Sequence, residues 1–447
     1  MPENTSSRVG IERDHPPGTF RFALRALSHR NYRLFFSGQT ISLIGTWMTR
    51  LATAWLVYRL THSAWLLGLV GFAGQIPVLM SPFAGVWVDR WNRHRTLVVT
   101  QALAMLQSFA LAALTLTKLI TIHEILWLCM AQGLINAFDM PARQSFVVEM
   151  ISRREDLASA IALNSSMVNA ARLLGPAIAG VVIAAVGEGY CFLIDGISYI
   201  AVIASLLLMM VPEFAGPGRR RAVLEDLREG FHYVAHFVPI RSVLLLLAVV
   251  SLMGMPYTVL MPIFAGSILH GGAHTLGFLM GSVGVGALLS GAYLASRKSV
   301  LGLGRVVAAS AALFGLGLGA FAASRMLWLS MILLVATGGG MMLQMAASNT
   351  ILQTIVDDDK RGRVMSFYSM SIMGITPLGS LLAGFLASRV GAPATLAVGG
   401  CGCLLGAMWF LRRIPAIREV VRPIYRKLGI LPEIAAAMRD ASAMVEE

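Results

Sequence analysis

From residue 32 to residue 411 the chain is a succession of apolar runs, each about as long as a bilayer is thick, separated by short polar gaps. A hydrocarbon core about 30 Å across is spanned by roughly 20 residues of α-helix. No water is available there to satisfy backbone amides, so each run must close its own hydrogen bonds as a helix. Twelve runs fit: 32–58, 66–88, 96–117, 123–148, 157–186, 190–211, 241–269, 275–296, 305–323, 327–355, 364–387 and 393–411. A membrane barrel would alternate apolar and polar residues, and runs such as YIAVIASLLLMMV (199–211) do not. The expected fold class is an all-α membrane protein with twelve transmembrane helices.

The overall content agrees. Of 447 residues 56% are hydrophobic and 13% charged, where a soluble domain carries about 25% charged residues. A net charge of +13 would suit nucleic acid, but the basic residues lie in short gaps between apolar runs and form no face or tail. No nucleic-acid partner is therefore expected. Cys129, Cys191, Cys401 and Cys403 all sit inside apolar runs without metal-ligand spacing, so neither a metal nor a cofactor is expected. The polar, Arg-rich stretch 1–31 lacks a short apolar core with a cleavage site. The first run is expected to serve as an uncleaved anchor.

Basic residues set the orientation. With the N-terminus inside, 29 of the 36 Lys and Arg fall in inner segments and four (Arg59, Lys118, Arg325, Arg389) in outer loops. Arg50, Arg143 and Arg172 lie within runs. Both termini are expected in the cytoplasm of a bacterial inner membrane.

The longest polar interval within the membrane region, 212–241, follows the sixth run and holds Pro212, Pro217 and the Arg219–Arg221 cluster. Val223, Leu224, Leu227 and Phe231 recur there at helical spacing, fitting either an amphipathic surface helix or a plain solvated linker. The expected organisation is a cytoplasmic tail (1–31), a six-helix bundle (32–212), a cytoplasmic linker (213–240), a second six-helix bundle (241–412) and a cytoplasmic tail (413–447). Ile414, Ile417, Val421 and Ile424 suggest an interfacial helix in that last tail. The halves echo each other at an offset of 207: Asp89-Arg90 falls on Ser296-Arg297, and DLAS (156–159) on RVMS (363–366). The Gly/Pro clusters GPAIAG (175–180) and TPLGSLLAG (376–384) correspond after a shift of about three. Internal repeats are the usual build of secondary transporters, with the substrate between them at mid-membrane.

The stretch GVWVDRWNRHR (85–95) resembles the loop between helices two and three of the major facilitator superfamily: a Gly, three variable residues, Asp-Arg, then a basic cluster. Gly85, Asp89, Arg90, Arg93 and Arg95 match, while Asn92 stands where the family often has Gly. RNYRLFFSGQTISLIGTWMTRLATAWLVYRLTHSAWLLGLV and DLREGFHYVAHFVPIR resemble a bacterial exporter branch that includes the enterobactin exporter. The likeness runs from about 30 to 412. It implies the major facilitator fold, two pseudo-symmetric six-helix bundles. It also implies a gate in which Asp89 faces the N-terminus of another helix, latching the bundles on the cytoplasmic side, with Gly85, Arg90 and Arg93 around it. Read from the residues alone, Asp89 can equally pair with Arg90 or Arg93, and the loop can serve topology only. Gly85 would admit a neighbouring helix closely. Gly175, Pro176 and Gly180 resemble the family's antiporter motif, its final Gly-Gly reduced to Ala179-Gly180, and with Pro377 are the expected helix hinges.

A charge at mid-membrane costs about 2.5–3.5 kcal/mol even on the gentlest scale, so Arg172 should face a wet cavity or a partner. Arg50 has similar standing. Asp139 can self-pair with Arg143 four residues on or act as a titratable coupling carboxylate. Asp195, about five residues into its run, lies near enough to water to need no special role. Gln39, Thr46, Asn136, Tyr257, Gln344 and Asn349 are candidates to line the cavity. Two departures from the family stand out: Cys129 where antiporters often carry Arg, and Thr46 where branch members often carry Asp. The second half holds almost no intramembrane charge, which places any coupling in helices one to six. No phosphate loop, zinc helix or nucleophile elbow is present, so an enzyme or a self-contained ATP-driven pump is not expected. The expected function is proton-coupled export of a small organic solute, a siderophore or drug, by a monomer in the lipid bilayer. The alternatives are an importer or facilitator of the same fold, and a non-transporting receptor or scaffold.

Overall fold

The structure, a computed structural model, describes residues 25–88, 90–151, 153–210, 223–297, 299–357 and 360–427. Among these every regular element is a helix. A 3-10 turn (Arg25–Ser28) leads into α1 (Arg30–Thr61). Then α2 (Ala64–Gln75) passes through a 3-10 stretch (Ile76–Met80), with Pro77 in its first turn, into α3 (Ser81–Val88). There follow α4 (Arg93–Leu116), α5 (Ile122–Glu149), α6 (Leu157–Val186), α7 (Glu188–Leu207) and α8 (Val223–His236). The second half contains α9 (Val238–Ile268), α10 (Ala273–Ser296), α11 (Leu303–Ala323), α12 (Leu327–Ile355), α13 (Lys360–Val390) and α14 (Ala392–Lys427).

Each of the twelve expected runs falls largely on helix, with departures such as 208–210, which lie beyond the helix that stops at Leu207. Among the described residues nine segments are long and apolar enough to cross a membrane. The remaining three runs lie on α1, on α2 with α3, and on α5. α1 and α5 are diluted by polar and charged side chains, Gln39, Thr46 and Arg50 in one and Glu124, Asp139 and Arg143 in the other. The run between them is divided by the 3-10 stretch.

Helix starts follow local chemistry. Ser63 Oγ accepts from the Leu66 amide (3.3 Å) and Asn92 Oδ1 from that of Arg95 (3.0 Å), each an N-cap. Asn92 thus has a use of its own where the family often has Gly. Two kinds of turn recur. Gly187 and Gly391, 204 residues apart, both take positive φ (94° and 87°), where L side chains are strained. His62 and His270, 208 apart, share φ 49°. The backbone therefore repeats at nearly the offset read from the sequence.

The expected helix beyond 411 forms, as an unbroken continuation of α14 through Pro415 and Pro423 to Lys427. Val421 is buried there, and Ile414, Ile417 and Ile424 pack against the core. The linker contributes α8, which is fastened to the second half. Arg363 Nη1 donates to Glu229 at 2.8 Å, Lys360 Nζ stands 4.7 Å from the Tyr233 ring, and Phe231 lies 6.4 Å from Phe367. Pro212, Pro217 and the Arg219–Arg221 cluster lie outside the described residues.

Residues 25–210 and 223–427 meet along a seam closed at the end with few basic residues. Backbones touch twice there. A Cβ on Gly68 of α2 would stand 2.7 Å from Cα of Gly384 of α13, and one on Gly180 of α6 would stand 3.0 Å from Cα of Gly277 of α10. Small residues permit such backbone approach between membrane helices. Tyr58 and Ser267 share a hydroxyl hydrogen bond of 2.6 Å at the same end.

Gly180→Val should therefore hold α6 off α10, a misfit of about 1–3 kcal/mol. Labelling of Ser267→Cys by a membrane-impermeant maleimide should rise. Gly281→Val is the control, since nothing lies within 4 Å of its Cβ position. Equal labelling in the two backgrounds would refute the seam.

Candidate functional site

The site is built on one turn of α1. A Cβ on Gly175 would come within 2.4 Å of Trp47 Cβ, so the missing side chain lets α6 lie directly on α1 at Trp47. Arg172 is three residues before Gly175 and Arg50 three after Trp47, and such spacings share a helix face. Both guanidinium groups consequently reach the same indole, Arg50 at 4.9 Å and Arg172 at 5.2 Å from the ring centroid. Stacking on indole stabilises a guanidinium by roughly 0.5–2 kcal/mol. Neither arginine has a carboxylate partner among the described residues, and the buried Arg172 Nε has no hydrogen bond. Two such charges no more than about 10 Å apart repel by at least roughly 1.7 kcal/mol at an effective dielectric of about 20. Arg50 is exposed although helices surround it, so the space it faces is open.

Beside this turn lies a carboxylate that sequence reasoning discounted. Asp195 is 1% exposed, deep between helices and not close to water. Its Oδ2 accepts from Thr49 Oγ1 of α1 (2.8 Å) and Ser108 Oγ of α4 (2.9 Å), tying three helices together. Its Oδ1 has no hydrogen-bond partner. Thr46, in the place of the family's Asp, lies 3.4 Å from the Tyr199 hydroxyl and donates to Ser42 O at 3.0 Å. Trp47, Thr49 and Ser108 were not among the expected site residues. The signal for Trp47 was its spacing of three from Arg50. Nothing in sequence linked Ser108 to Asp195.

A second polar cluster surrounds Asp139, which is 2% exposed. It accepts from Thr100 Oγ1 (2.9 Å), Gln101 Nε2 (2.7 Å) and the guanidinium of Arg143, so the intrahelical pair does form. Of the expected cavity residues, Asn136 is approached by Gln132 at 3.4 Å and Asn349 by Gln353 at 2.7 Å, each one turn away on its own helix. Gln39, Tyr257 and Gln344 are buried. Tyr257 stands edge-on to Phe314, and both polar atoms of Gln344 lack a hydrogen-bond partner.

At the basic end, Asp89 lies outside the described residues. Gly85 is less crowded than expected: a Cβ there would sit 3.7 Å from Pro141 Cβ, an ordinary contact. Arg93 pairs with Glu149 at the end of α5, and Arg90 is exposed. Trp87 and Trp91 both stack on Phe138, at 6.1 and 6.2 Å. Pro176 sits inside a continuous α6, whereas Pro377 follows a π-helical stretch at Met370–Gly374. The two expected hinges therefore have different local geometry.

Helices of bilayer length, a glycine-lined seam and a charged aromatic site beneath it define a multi-pass membrane transporter of small molecules, not an enzyme. A family model described as transmembrane secretion effector matches residues 22–445, and the chain belongs to that family of the major facilitator superfamily. It is similar to the staphyloferrin A transporter of Staphylococcus aureus, 28% identical over 393 residues that cover 85% of this chain and 96% of that protein. The multidrug efflux pump Tap of Mycolicibacterium fortuitum is 26% identical over 84% of this chain and 93% of its own. The enterobactin exporter EntS of Shigella boydii is 23% identical over 88% and 94%. In fold the chain is similar to the crystal structure of the nucleoside transporter NupG, with TM-score 0.66, 13% identity and 87% and 99% of the two chains covered. An inward-facing bacterial homologue of the human lysosomal transporter Spinster gives TM-score 0.64, 15% identity and 89% and 98% covered.

Arg143→Ala leaves Asp139 buried among neutral donors. The expected loss is roughly 3 kcal/mol, the low end for a buried pair, because 25% of the arginine side chain is accessible. Adding Asp139→Asn should recover most of it. Thermal unfolding in detergent measures both, and equal losses in the single and double variants would contradict the pairing.

Proposed function

We propose that this transporter is a secondary active exporter in a bacterial inner membrane, moving a small organic solute outward in exchange for protons. Twelve helices form two six-helix bundles, residues 32–212 and 241–412, that rock about the central site and expose it to each side in turn. Both termini are cytoplasmic and the monomer is the working unit. One observation carries the reading: Arg50 is exposed while the seam above it is sealed by Gly68 against Gly384 and Gly180 against Gly277. A site shut at the outer end and open at the basic end is poised to load from the cytoplasm. The excess of Lys and Arg at the open end supports calling it the inner one. Two siderophore transport proteins and a multidrug pump among the relatives support an organic cargo of that kind.

Roles follow the geometry. Arg50 and Arg172 hold the solute. Asp139 and Asp195 are the carboxylates available for protons, the first paired to an arginine and the second bonded only to neutral hydroxyls. Gly85, Asp89, Arg90 and Arg93 form the inner gate. Gly175, Pro176, Gly180 and Pro377 allow the helices to bend. Gln39, Asn136, Tyr257, Gln344 and Asn349 meet the solute in other states of the cycle.

Cells carrying the gene should accumulate less of a transported siderophore or drug than cells lacking it, and a protonophore should abolish the difference. Asp89→Asn should cut efflux about tenfold or more, equivalent to about 1.4 kcal/mol, with expression unchanged. Lost membrane insertion would instead assign Asp89 to topology. Unchanged accumulation across a broad panel of both compound classes would sink the export reading.

A further inference from the structure

We propose that Arg50 and Arg172, which share the indole of Trp47, form a binding site for an organic anion bearing two or more carboxylate groups. The proposal rests on the transporter reading and names its substrate class. It stands on a charge imbalance. The guanidinium carbons lie 4.9 and 5.2 Å from one ring centroid, hence no more than about 10 Å from each other, within the span of a short polycarboxylate. A positive charge inside a membrane protein normally pairs with an acid or a carbonyl. Here no acid among the described residues stands within ion-pair distance of either arginine. Asp195 Oδ2 is taken by Thr49 and Ser108, and its Oδ1 faces Gly45, where a Cβ would stand 2.6 Å away. Asp139 is taken by Arg143, Thr100 and Gln101, and Glu188 by Arg59 at 2.7 Å.

Among the described residues the two arginines thus share an aromatic ring and have no ion-pair partner, with the Arg172 Nε buried and unbonded. An indole can hold a guanidinium in place without neutralising it. The planar donor fork stays free for the bidentate geometry that carboxylates prefer. Arginine is always protonated, so the site keeps its double charge throughout the cycle, and a neutral or cationic solute would leave both charges unpaired. The access argument agrees: the exposed Arg50 lies below the sealed glycine seam, where a solute arrives from the cytoplasm.

The test uses the full-length protein in nanodiscs. Citrate, tricarballylate and neutral trimethyl citrate are the probes, with isothermal titration and thermal stabilisation as readouts. Saturable binding of the two carboxylates, without the ester, is expected. Arg50→Gln and Arg172→Gln should each weaken it by at least about tenfold, while Arg→Lys at either position should lose less. Trp47→Phe keeps a ring and should retain binding at reduced affinity. Lys118→Gln, an exposed outer-loop change, should bind as the parent. If neither carboxylate binds, if the ester binds equally, or if both Gln variants bind like the parent, the proposal is overturned. That failure is separable from failure of export. Cells that still expel neutral compounds while the purified protein ignores carboxylates would keep the exporter and discard the anion site.

Discussion

Backbone contact between helices from opposite halves of the chain is the constraint on which the remaining arrangement depends. In lipid there is no hydrophobic gain from pressing two apolar helices together, because lipid tails are as apolar as leucine. Close packing must come from van der Waals contact, and that requires backbones to approach. Gly68 meets Gly384 and Gly180 meets Gly277. In the register of the internal repeat, Gly68 corresponds to Gly277 and Gly180 to Gly384, so one contact is made twice. Among the described residues no ion pair or disulfide crosses the seam at this glycine-lined end. Beside it the described side-chain bond is a single pair of hydroxyls, Tyr58 and Ser267. This is the sort of surface that can part and re-form.

The same packing explains where charge can be tolerated. Gly175 brings α6 onto α1 and delivers Arg172 to the ring of Trp47. Two other buried carboxylates are paired with arginine, Asp139 with Arg143 and Glu188 with Arg59, while Asp195 has only neutral hydroxyls. Arg50 and Arg172 differ in kind. Their stabilisation by indole is partial, and the remainder must come from water or from cargo. Stability and function are therefore opposed at this turn: neutralising both arginines would lower the cost of the fold and remove the feature that distinguishes the site.

Much of this was legible in the sequence because lipid imposes one-dimensional rules. Run length located the helices, charge in the gaps suggested their direction, and the position of Arg172 at mid-run marked it as unusual. Spacing of four offered the bond between Asp139 and Arg143 as one of two alternatives. What could not be read were relations across the chain. Asp195 looked close to water by its distance from a helix end, yet Ser108 and Thr49 enclose it from two other helices. Gly85 looked like a packing glycine by motif, yet its nearest neighbour is at ordinary distance. The helix beyond 411 was legible from Ile414, Ile417, Val421 and Ile424, but not that it continues α14 without a break and buries Val421.

The chain's asymmetry bears on mechanism. Arg50, Asp139, Arg143, Arg172 and Asp195, the mid-membrane charges, all belong to the first half. The second half offers neutral groups such as Gln344 and Ser348, buried without hydrogen-bond partners. α8 is clamped to this second half through Glu229 and Arg363, so the linker helix travels with it. If the halves move as units, the first carries the electrostatics intact while the second acts as a movable wall. Such a division lets the field at Trp47 stay fixed while access changes.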